Sequence, residues 1–258
     1  MLNTSVITFI PVVLFVVLLV LQATFPRRSL VSQVSSRIGH NLLLFVVNTL
    51  LMRFAVPVSL LLVSTWASER GIGLLNVLAL PAWFSILACV IILDFAIYWQ
   101  HVATHYWPLL WRMHKVHHAD TEMDVTTAIR FHPLELLASL AYKSMLVVLL
   151  GAPAWAIIMF ELLLFIGPAF NHSNVRLAPK LDAFLRLFIA TPDTHRAHHS
   201  TLIYEQNTNY GFFLIWWDKL FGTYTQMPEE GHKAMRIGLL AKDDQCNTID
   251  EMLIAPFK

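Results

Sequence analysis

Five apolar stretches follow one another along the first two thirds of the chain, separated by short polar segments. They cover about residues 5–21, 41–64, 80–100, 134–150 and 154–170. A membrane-spanning helix needs about 20 predominantly apolar residues, with a lower limit of about 17. Strand signals are weak throughout. The pattern therefore predicts an all-α integral membrane protein with about five membrane-embedded helices.

The fourth and fifth stretches are joined by only three residues, 151–153, which read Gly-Ala-Pro. Glycine and proline are typical of tight connections between helices. We therefore predict a tight helical hairpin over 134–170. The first stretch resembles a secretory signal, but no Lys or Arg precedes it and no small-residue cleavage site follows. We interpret it as a membrane helix instead.

Basic residues follow the first, third and fifth stretches, whereas the hairpin tip carries no charge. Cytoplasmic segments of membrane proteins carry an excess of Lys and Arg. With the N-terminus outside, every segment rich in these residues falls on the cytoplasmic side. The pattern predicts a multi-pass protein whose C-terminus and polar central segments face the cytoplasm.

The composition indicates that lipid surrounds part of the protein. Hydrophobic residues make up 57% of the chain and charged residues only 14%, against about 25% charged residues in soluble domains. The net charge of +1 leaves no basic excess for binding phosphates, which argues against a nucleic-acid partner. The two cysteines, Cys89 and Cys246, form neither a disulfide framework nor a metal site alone.

Histidine is the unusual residue, because ten of the twelve lie between positions 101 and 199. Eight of these form three patterns, HVATH, HKVHH and HRAHH: His101, His105, His114, His117, His118, His195, His198 and His199. Residues three and four apart share a helix face, so we expect each cluster to present its imidazoles in one direction. Imidazole is a common ligand of iron, zinc and copper. Eight are too many for one ion and suit two.

Three further polar residues are candidates for the same site. His172 directly follows the fifth stretch, and we predict it as a ninth ligand. His132 precedes Pro133 at the entrance to the fourth helix, where a capping or orienting role is sufficient. Asp94 shares a helix face with His101; either it accepts a ligand's N–H or it is a hydrogen-bonded core carboxylate. His40 and His232 are expected to be incidental.

Other metal chemistries are alternatives at this point. A zinc hydrolase needs three ligands and a base, fewer groups than the clusters offer. A bis-histidine haem protein, or another metal-binding membrane protein without oxygenase activity, is a second alternative, but haem ligands should lie within the membrane spans. A protein that has lost its chemistry is a third.

Several further motifs accompany the clusters: RFHPLE (130–135), NHSN (171–174), TPDTHRAHH (191–199), NTNYG (207–211) and WDKLFGT (217–223). Together and in this order, they resemble the fatty acid hydroxylase/sterol desaturase superfamily, over about residues 94–223. The resemblance implies a site with two non-haem iron ions, and the nine histidines predicted above are its expected ligands. It implies O₂-dependent hydroxylation or desaturation of a lipid such as a sterol, a fatty acyl chain or an alkylglycerol.

The resemblance also implies partners and a division of the chain. Electrons would come from an external donor of the ferredoxin or cytochrome b5 type with its reductase, and membrane lipids would surround the protein. We expect N-terminal membrane helices over 1–75 and a fatty acid hydroxylase-like catalytic region over 76–225. A polar C-terminal tail over 226–258 follows, and the histidine-rich region forms a cytoplasmic helical cap that binds metal.

Overall fold

The computed structural model describes residues 4–30, 34–56, 58–78, 80–241 and 246–258. Within these residues the chain is helical, and only isolated β-bridges occur. The prediction of an all-α protein is therefore confirmed.

The longest helices lie in the first two thirds of the chain, with the short α4 among them. They are α1 (Thr4–Thr24), α2 (Val34–Ala55), α3 (Leu60–Glu69), α4 (Leu74–Leu78), α5 (Ala82–Tyr106), α6 (Pro108–His118), α7 (Pro133–Leu150) and α8 (Ala154–Asn171). Shorter helices follow: α9 (Pro179–Leu185), α10 (Pro192–His198), α11 (Ile203–Gln206), α12 (Trp216–Phe221), α13 (Gly231–Ala234) and α14 (Ile249–Ile254). In the part of the chain that the structure describes, 3-10 turns cover Thr127–Ile129 and Ala255–Phe257.

Three of the described helices, α5, α7 and α8, are long and apolar enough to cross a membrane. The apolar part of α1 whose side chains are described, Phe9–Thr24, is shorter. Many large apolar side chains on these helices are exposed, among them Val12, Leu87 and Leu149. Soluble proteins rarely expose apolar patches of such extent, so this surface is that of a membrane protein.

The second apolar stretch is not one helix, contrary to the prediction over 41–64. Helix α2 ends at Ala55 and α3 begins at Leu60, where the Ser59 hydroxyl accepts a hydrogen bond from the backbone N–H of Leu62 at 3.2 Å. The sequence places Pro57 between them. Proline has no amide hydrogen and disfavours helix at the preceding residue, which accounts for the break.

The hairpin between α7 and α8 is formed as predicted. Gly151 ends α7 in the left-handed conformation, with φ +64°. A Cβ on Gly73, in the turn before α4, would lie 2.1 Å from the backbone nitrogen of Gly151. Helix α3 packs along the hairpin, and its Ser64 hydroxyl donates a hydrogen bond to the carbonyl of Ala152 at 2.6 Å. The hairpin tip is therefore closed by glycine contacts and one buried hydroxyl.

We call residues 107–132, 172–241 and 246–258 the cap, because they cover one end of α5, α7 and α8. Residues near the C-terminus pack against the helices that precede them. Met252 and Ala255 are buried in an apolar cluster with Leu44 of α2 and Val116 of α6. This packing fixes α6, which carries one of the histidine clusters.

Candidate metal centre

The structure brings nine histidines together in two groups at the junction of the cap and the long helices. The five-histidine group consists of His101, His105, His114, His118 and His198. The four-histidine group consists of His117, His172, His195 and His199. Within each group the ligand-type nitrogens lie within 4.8 Å of one another. Every histidine expected from the sequence to bind metal lies in one of the groups, and His132 lies in neither.

Each HxxHH pattern contributes to both groups, which corrects the expectation that a cluster faces one direction. In HKVHH, His114 and His118 join the five-histidine group and His117 joins the other. In HRAHH, only His198 joins the five-histidine group. Adjacent residues on an α-helix point about 100° apart, since a turn holds 3.6 residues. The two adjacent histidines of each pattern therefore serve two different sites.

Hydrogen bonds fix which ring nitrogen faces each group. The Nδ1 atoms of His101, His198 and His172 lie 2.7, 2.7 and 2.8 Å from the carbonyl oxygens of Tyr210, Thr208 and Pro168, respectively. A carbonyl oxygen only accepts, so each Nδ1 carries the hydrogen. The Nε2 atom then presents a lone pair to the interior of its group, as a metal ligand requires.

The Nε2 atoms approach one another closely. The distance between the Nε2 atoms is 3.0 Å for His101 and His198, and 2.9 Å for His117 and His172. These contacts are not hydrogen bonds, because the Nδ1 atom of each ring is turned to a carbonyl and neither Nε2 carries a hydrogen. Two nitrogens bound at ~2.1 Å to one ion, at a right angle, lie ~3.0 Å apart. The spacing fits imidazoles that share a cation.

Other ring nitrogens are buried without a hydrogen-bond partner in the described structure. They include Nε2 of His105, His114 and His118. An unsatisfied buried polar atom costs about 1–3 kcal/mol. Coordination to a metal would satisfy all three atoms, so the five-histidine group also fits a bound cation.

Burial keeps these imidazoles neutral. It lowers the pKa values of the cap histidines well below the usual value, and neighbouring histidines lower them further: His117, His118, His195, His198 and His199. Burial also lowers the pKa of His172 to about 4. A metal binds the neutral form of imidazole, so near neutral pH the groups are in the state that coordinates.

Two side chains that the sequence did not identify orient histidines of the five-histidine group. The Glu135 carboxylate lies 2.7 Å from Nδ1 of His114 and is buried. The side-chain oxygen of Asn207 lies 3.3 Å from Nδ1 of His105. Such partners hold the ring of a ligand and raise its basicity. Glu135 ends the RFHPLE motif, which is the signal that could have pointed to it.

Asp94 is a core carboxylate and does not contact a histidine of either group. It accepts a hydrogen bond from the indole N–H of Trp217 at 2.7 Å. Of the two alternatives left open by the sequence, the structural one therefore holds. The contact ties α5 to α12.

Asp218 connects the two C-terminal motifs, NTNYG and WDKLFGT, by hydrogen bonds. It accepts hydrogen bonds from the backbone N–H groups of Tyr210 and Gly211, both at 2.8 Å, and from the hydroxyl of Thr223 at 2.7 Å. Burial raises its pKa to about 6, although these bonds oppose the shift. Because the Tyr210 carbonyl accepts from His101, the carboxylate positions a predicted ligand through the 207–211 loop.

The remaining histidines have other roles. His132 caps α7: its Nδ1 accepts from the backbone N–H of Leu134 at 3.1 Å, and its Nε2 lies 3.2 Å from the carbonyl of Leu253. The predicted capping role is confirmed. His232 is buried with its Nε2 3.5 Å from the Asp193 carboxylate, so it is more than an incidental residue. His40 is half-buried on α2.

Comparisons with known proteins agree with the motifs. The sequence model of the fatty acid hydroxylase family matches residues 86–223. An ornithine lipid hydroxylase of Rhizobium tropici is 36% identical over 57% of this chain and 44% of its own length. The alkylglycerol monooxygenase of Homo sapiens is 32% identical over 55% of this chain and 30% of its own.

A third relative is covered more fully. The methylsterol monooxygenase 2-2 of Arabidopsis thaliana is 29% identical over 67% of this chain and 66% of its own length. The chain spans less than half the length of the first two relatives. No solved structure matches. The family match covers more than half of the chain and contains all nine grouped histidines, and the chain belongs to the fatty acid hydroxylase family.

Proposed function

We propose that this protein is a membrane-bound, non-haem di-iron oxygenase that hydroxylates or desaturates a lipid. The observation that carries the proposal is the pair of buried histidine groups with Nε2 lone pairs turned inward. Relatives named as lipid hydroxylases and monooxygenases support the same reaction class. One iron ion would bind each group, held by His101, His105, His114, His118 and His198 or by His117, His172, His195 and His199.

The metal would supply an oxidant able to break an aliphatic C–H bond, which no side chain can do. The chain's own residues prepare the site. Tyr210, Thr208 and Pro168 carbonyls and the Glu135 carboxylate fix the ligand rings. Nearly all of the grouped histidines are buried, so water has little access. A dry site protects reactive species from side reactions.

The proposed oxygenase needs an external source of electrons. A donor of the ferredoxin or cytochrome b5 type with its reductase would provide them. The multi-pass arrangement, with the cap on the cytoplasmic side, would place the site within reach of such a donor. A Lys258→Cys variant should react with an impermeant thiol reagent only after the cells are permeabilised. Labelling in intact cells would contradict this orientation.

A haem site is a poor alternative for these groups. Two imidazoles that bind one haem lie on opposite faces of a flat macrocycle. The Nε2 atoms here lie 2.9–3.2 Å apart within the four-histidine group, which leaves no room for such a ring between them. A zinc site would fit the same imidazoles, so the metal itself must be measured.

The decisive experiment combines metal analysis with lipid analysis. Protein purified from iron-supplied cells should hold about two iron ions per chain, and His117→Ala plus His198→Ala should hold less. Lipid mass spectrometry of cells with the parent protein should reveal a lipid that has gained one oxygen atom or lost two hydrogens. The double variant serves as the control. Full metal content in that variant would contradict the ligand set, and unchanged lipids in parent cells would contradict the activity.

A further inference from the structure

Helices α2, α3, α7 and α8 and the segment 128–131 line an open cavity of about 590 Å³, and Phe45 and Leu62 on its wall are partly exposed. Its wall is mainly apolar and includes Phe45, Met52, Leu62, Leu136 and Phe165. Binding cavities for small organic ligands usually measure about 300–1,000 Å³. The size and lining suit a lipid chain.

One aromatic ring separates this cavity from the four-histidine group. Phe131 lines the cavity, and its ring stacks on the ring of His117 with centroids 4.5 Å apart and an angle of 8° between the planes. The four-histidine group offers one imidazole fewer than its neighbour. A metal there would keep more coordination positions for other ligands, so the cavity borders the more open of the two sites.

A buried amide points to a polar ligand in the cavity. The Asn48 side chain is only 3% exposed and donates from its nitrogen to the carbonyl of Phe131 at 2.8 Å. Its oxygen, Oδ1, is buried without a hydrogen-bond partner in the described structure, and Asn48 lines the cavity. A bound molecule with a hydroxyl or N–H group would satisfy this acceptor.

Arg53 places a positive charge on the same wall. It lies five residues after Asn48 on α2, or ~7.5 Å along the axis. None of the ion pairs between described residues involves it. The break between α2 and α3 lies next to it, and Val56 and Ser59 from the break line the cavity. Irregular backbone within a membrane segment is tolerated where it lines a cavity or is buried in protein.

Two other cavities are less suited to an acidic lipid. One of about 550 Å³ in the cap has Arg27 and Arg186 paired with Asp193 and Asp182, and although Arg176 and Lys219 also line it, none of the nine grouped histidines does. The other, of about 220 Å³, lies beside Glu135 between α5, α6 and α7, and carries no basic side chain. The cavity at Arg53 is favoured because Phe131 on its wall stacks on His117 of the four-histidine group, and because it is larger than the cavity beside Glu135.

We propose that the cavity between α2, α3, α7 and α8 binds the lipid on which the enzyme acts, with Arg53 holding a phosphate or carboxylate group of that lipid. Asn48 Oδ1 accepts a hydrogen bond from a hydroxyl or N–H group near this acidic end. The acyl chain of the lipid then passes Phe131. The carbon that reacts lies close to the polar end of the lipid. This identification of the substrate rests on the proposed function, whereas binding of the lipid does not.

Photo-crosslinking tests the binding step without turnover. Iron-loaded full-length protein in nanodiscs would be exposed to three probes with a diazirine in the acyl chain: a phosphatidic acid, a free fatty acid and a diacylglycerol. Mass spectrometry would locate the adducts. We expect adducts at Leu62, Leu136 or Phe165 with at least one acidic probe and few with the diacylglycerol. The phosphatidic acid and fatty acid arms distinguish phosphate from carboxylate recognition.

Matched variants identify the cavity. Arg53→Gln should lower labelling by the acidic probe about tenfold, as expected for a lost charge-assisted hydrogen bond. Arg70→Gln, at the end of α3, should not. Thr49→Trp should fill the cavity and block labelling. Leu50→Trp, at an exposed position of α2 that does not line the cavity, should leave labelling at the parent level. Iron content should stay at the parent level in all four variants.

Several outcomes would overturn the proposal. Adducts concentrated at Leu110 or Ala138, which line the 220 Å³ cavity, would place the lipid elsewhere. Equal labelling by all three probes, or labelling unaffected by Arg53→Gln, would contradict the recognition of an acidic lipid group by Arg53. Specific labelling together with unchanged cellular lipids would instead contradict the proposed oxygenase activity alone.

Discussion

The Glu135 carboxylate accepts a hydrogen bond from Nδ1 of His114 at 2.7 Å, across 21 residues of sequence. Helix α7 supplies the acid in its first turn and α6 supplies the histidine in its last two turns. The bond holds the His114 ring with Nε2 turned to the five-histidine group. A carboxylate in this position also raises the affinity of the imidazole for metal.

Replacing this carboxylate should weaken one metal site. Glu135→Leu should lower the affinity of the five-histidine group for metal about 10- to 100-fold, the usual effect of losing such a partner. Glu135→Gln should do less, because its amide oxygen can still accept from Nδ1. Iron retention against a chelator series would measure both. Glu69→Gln, at the exposed end of α3, is the control, and equal iron loss in the control would contradict the assignment.

The adjacent histidines of HKVHH should affect different metal sites. His117→Ala should weaken the four-histidine group and His118→Ala the five-histidine group, since the two rings point into different groups. Each variant should lose about one iron ion, and the double variant should lose both. Metal analysis of the three proteins gives the answer. A single variant that loses both ions while its neighbour loses none would contradict two separate groups.

Asp218 should matter for the site although its hydrogen bonds go to Tyr210, Gly211 and Thr223 and not to a grouped histidine. Asp218→Asn puts an amide NH₂ where a carboxylate oxygen accepts from the backbone N–H of Tyr210 or Gly211. A lost acceptor for a buried donor costs about 1–3 kcal/mol. We expect a lower Tm and weaker iron retention, because the loop positions His101. Asp182→Asn, on α9 away from the loop, should leave iron retention at the parent level.

The sequence predicted much of this architecture because the signals are local. Spacings of three and four residues on helices identified eight of the grouped histidines, and the position of His172 after an apolar helix added the ninth. The hairpin followed from the three-residue link 151–153. These features depend on neighbours in the chain, so periodicity and turn chemistry are sufficient to find them.

The features that the sequence did not predict depend on contacts between segments that are distant in the chain. Which carbonyl accepts from a ligand ring, such as Tyr210 for His101, follows from packing and leaves no trace in residue type. Asp94 could be tied to a ligand or to the core, and only the neighbouring position of Trp217 decides. The break between α2 and α3 was missed because the apolar stretch continues across Pro57. A hydropathy pattern does not reveal that proline lacks an amide hydrogen.

The buried His232 should make the cap sensitive to acid. Burial lowers its pKa from 6.5 to about 4, while Asp193 opposes the shift. Between these two pH values the unfolded chain binds more protons than the folded protein, so stability falls as the pH drops through this window. Above the unfolded pKa the effect is constant. The folded cap therefore carries a penalty that appears only below about pH 6.5.

A substitution should relieve this penalty. The Tm of the parent should fall more between about pH 7 and pH 5 than the Tm of His232→Asn. Metal loss at low pH is common to both proteins and cancels in the comparison. His40→Asn controls for the loss of an imidazole outside this pocket. Equal pH dependence of the parent and His232→Asn would contradict the assignment of the penalty to this residue.

Substitutions of His172 and His132 should have different effects, because we expect His172 to bind metal and His132 to cap α7. His172 Nε2 lies 2.9–3.2 Å from the Nε2 atoms of His117, His195 and His199, so His172→Ala should lose about one iron ion. His132 uses both ring nitrogens in hydrogen bonds to the backbone. His132→Ala should therefore keep its iron and lose about 0.5–2 kcal/mol of stability, as other lost N-terminal caps do.

Iron analysis and thermal unfolding of the same two proteins test this difference. His132→Asn should recover part of the stability, because asparagine is a good N-terminal cap, and should hold as much iron as the parent. His172→Asn has no imidazole and should remain short of iron. If His132→Ala lost iron while His172→Ala kept both ions, the segment 130–135 would supply a ligand, and the four-histidine group would not be a metal site in its present composition.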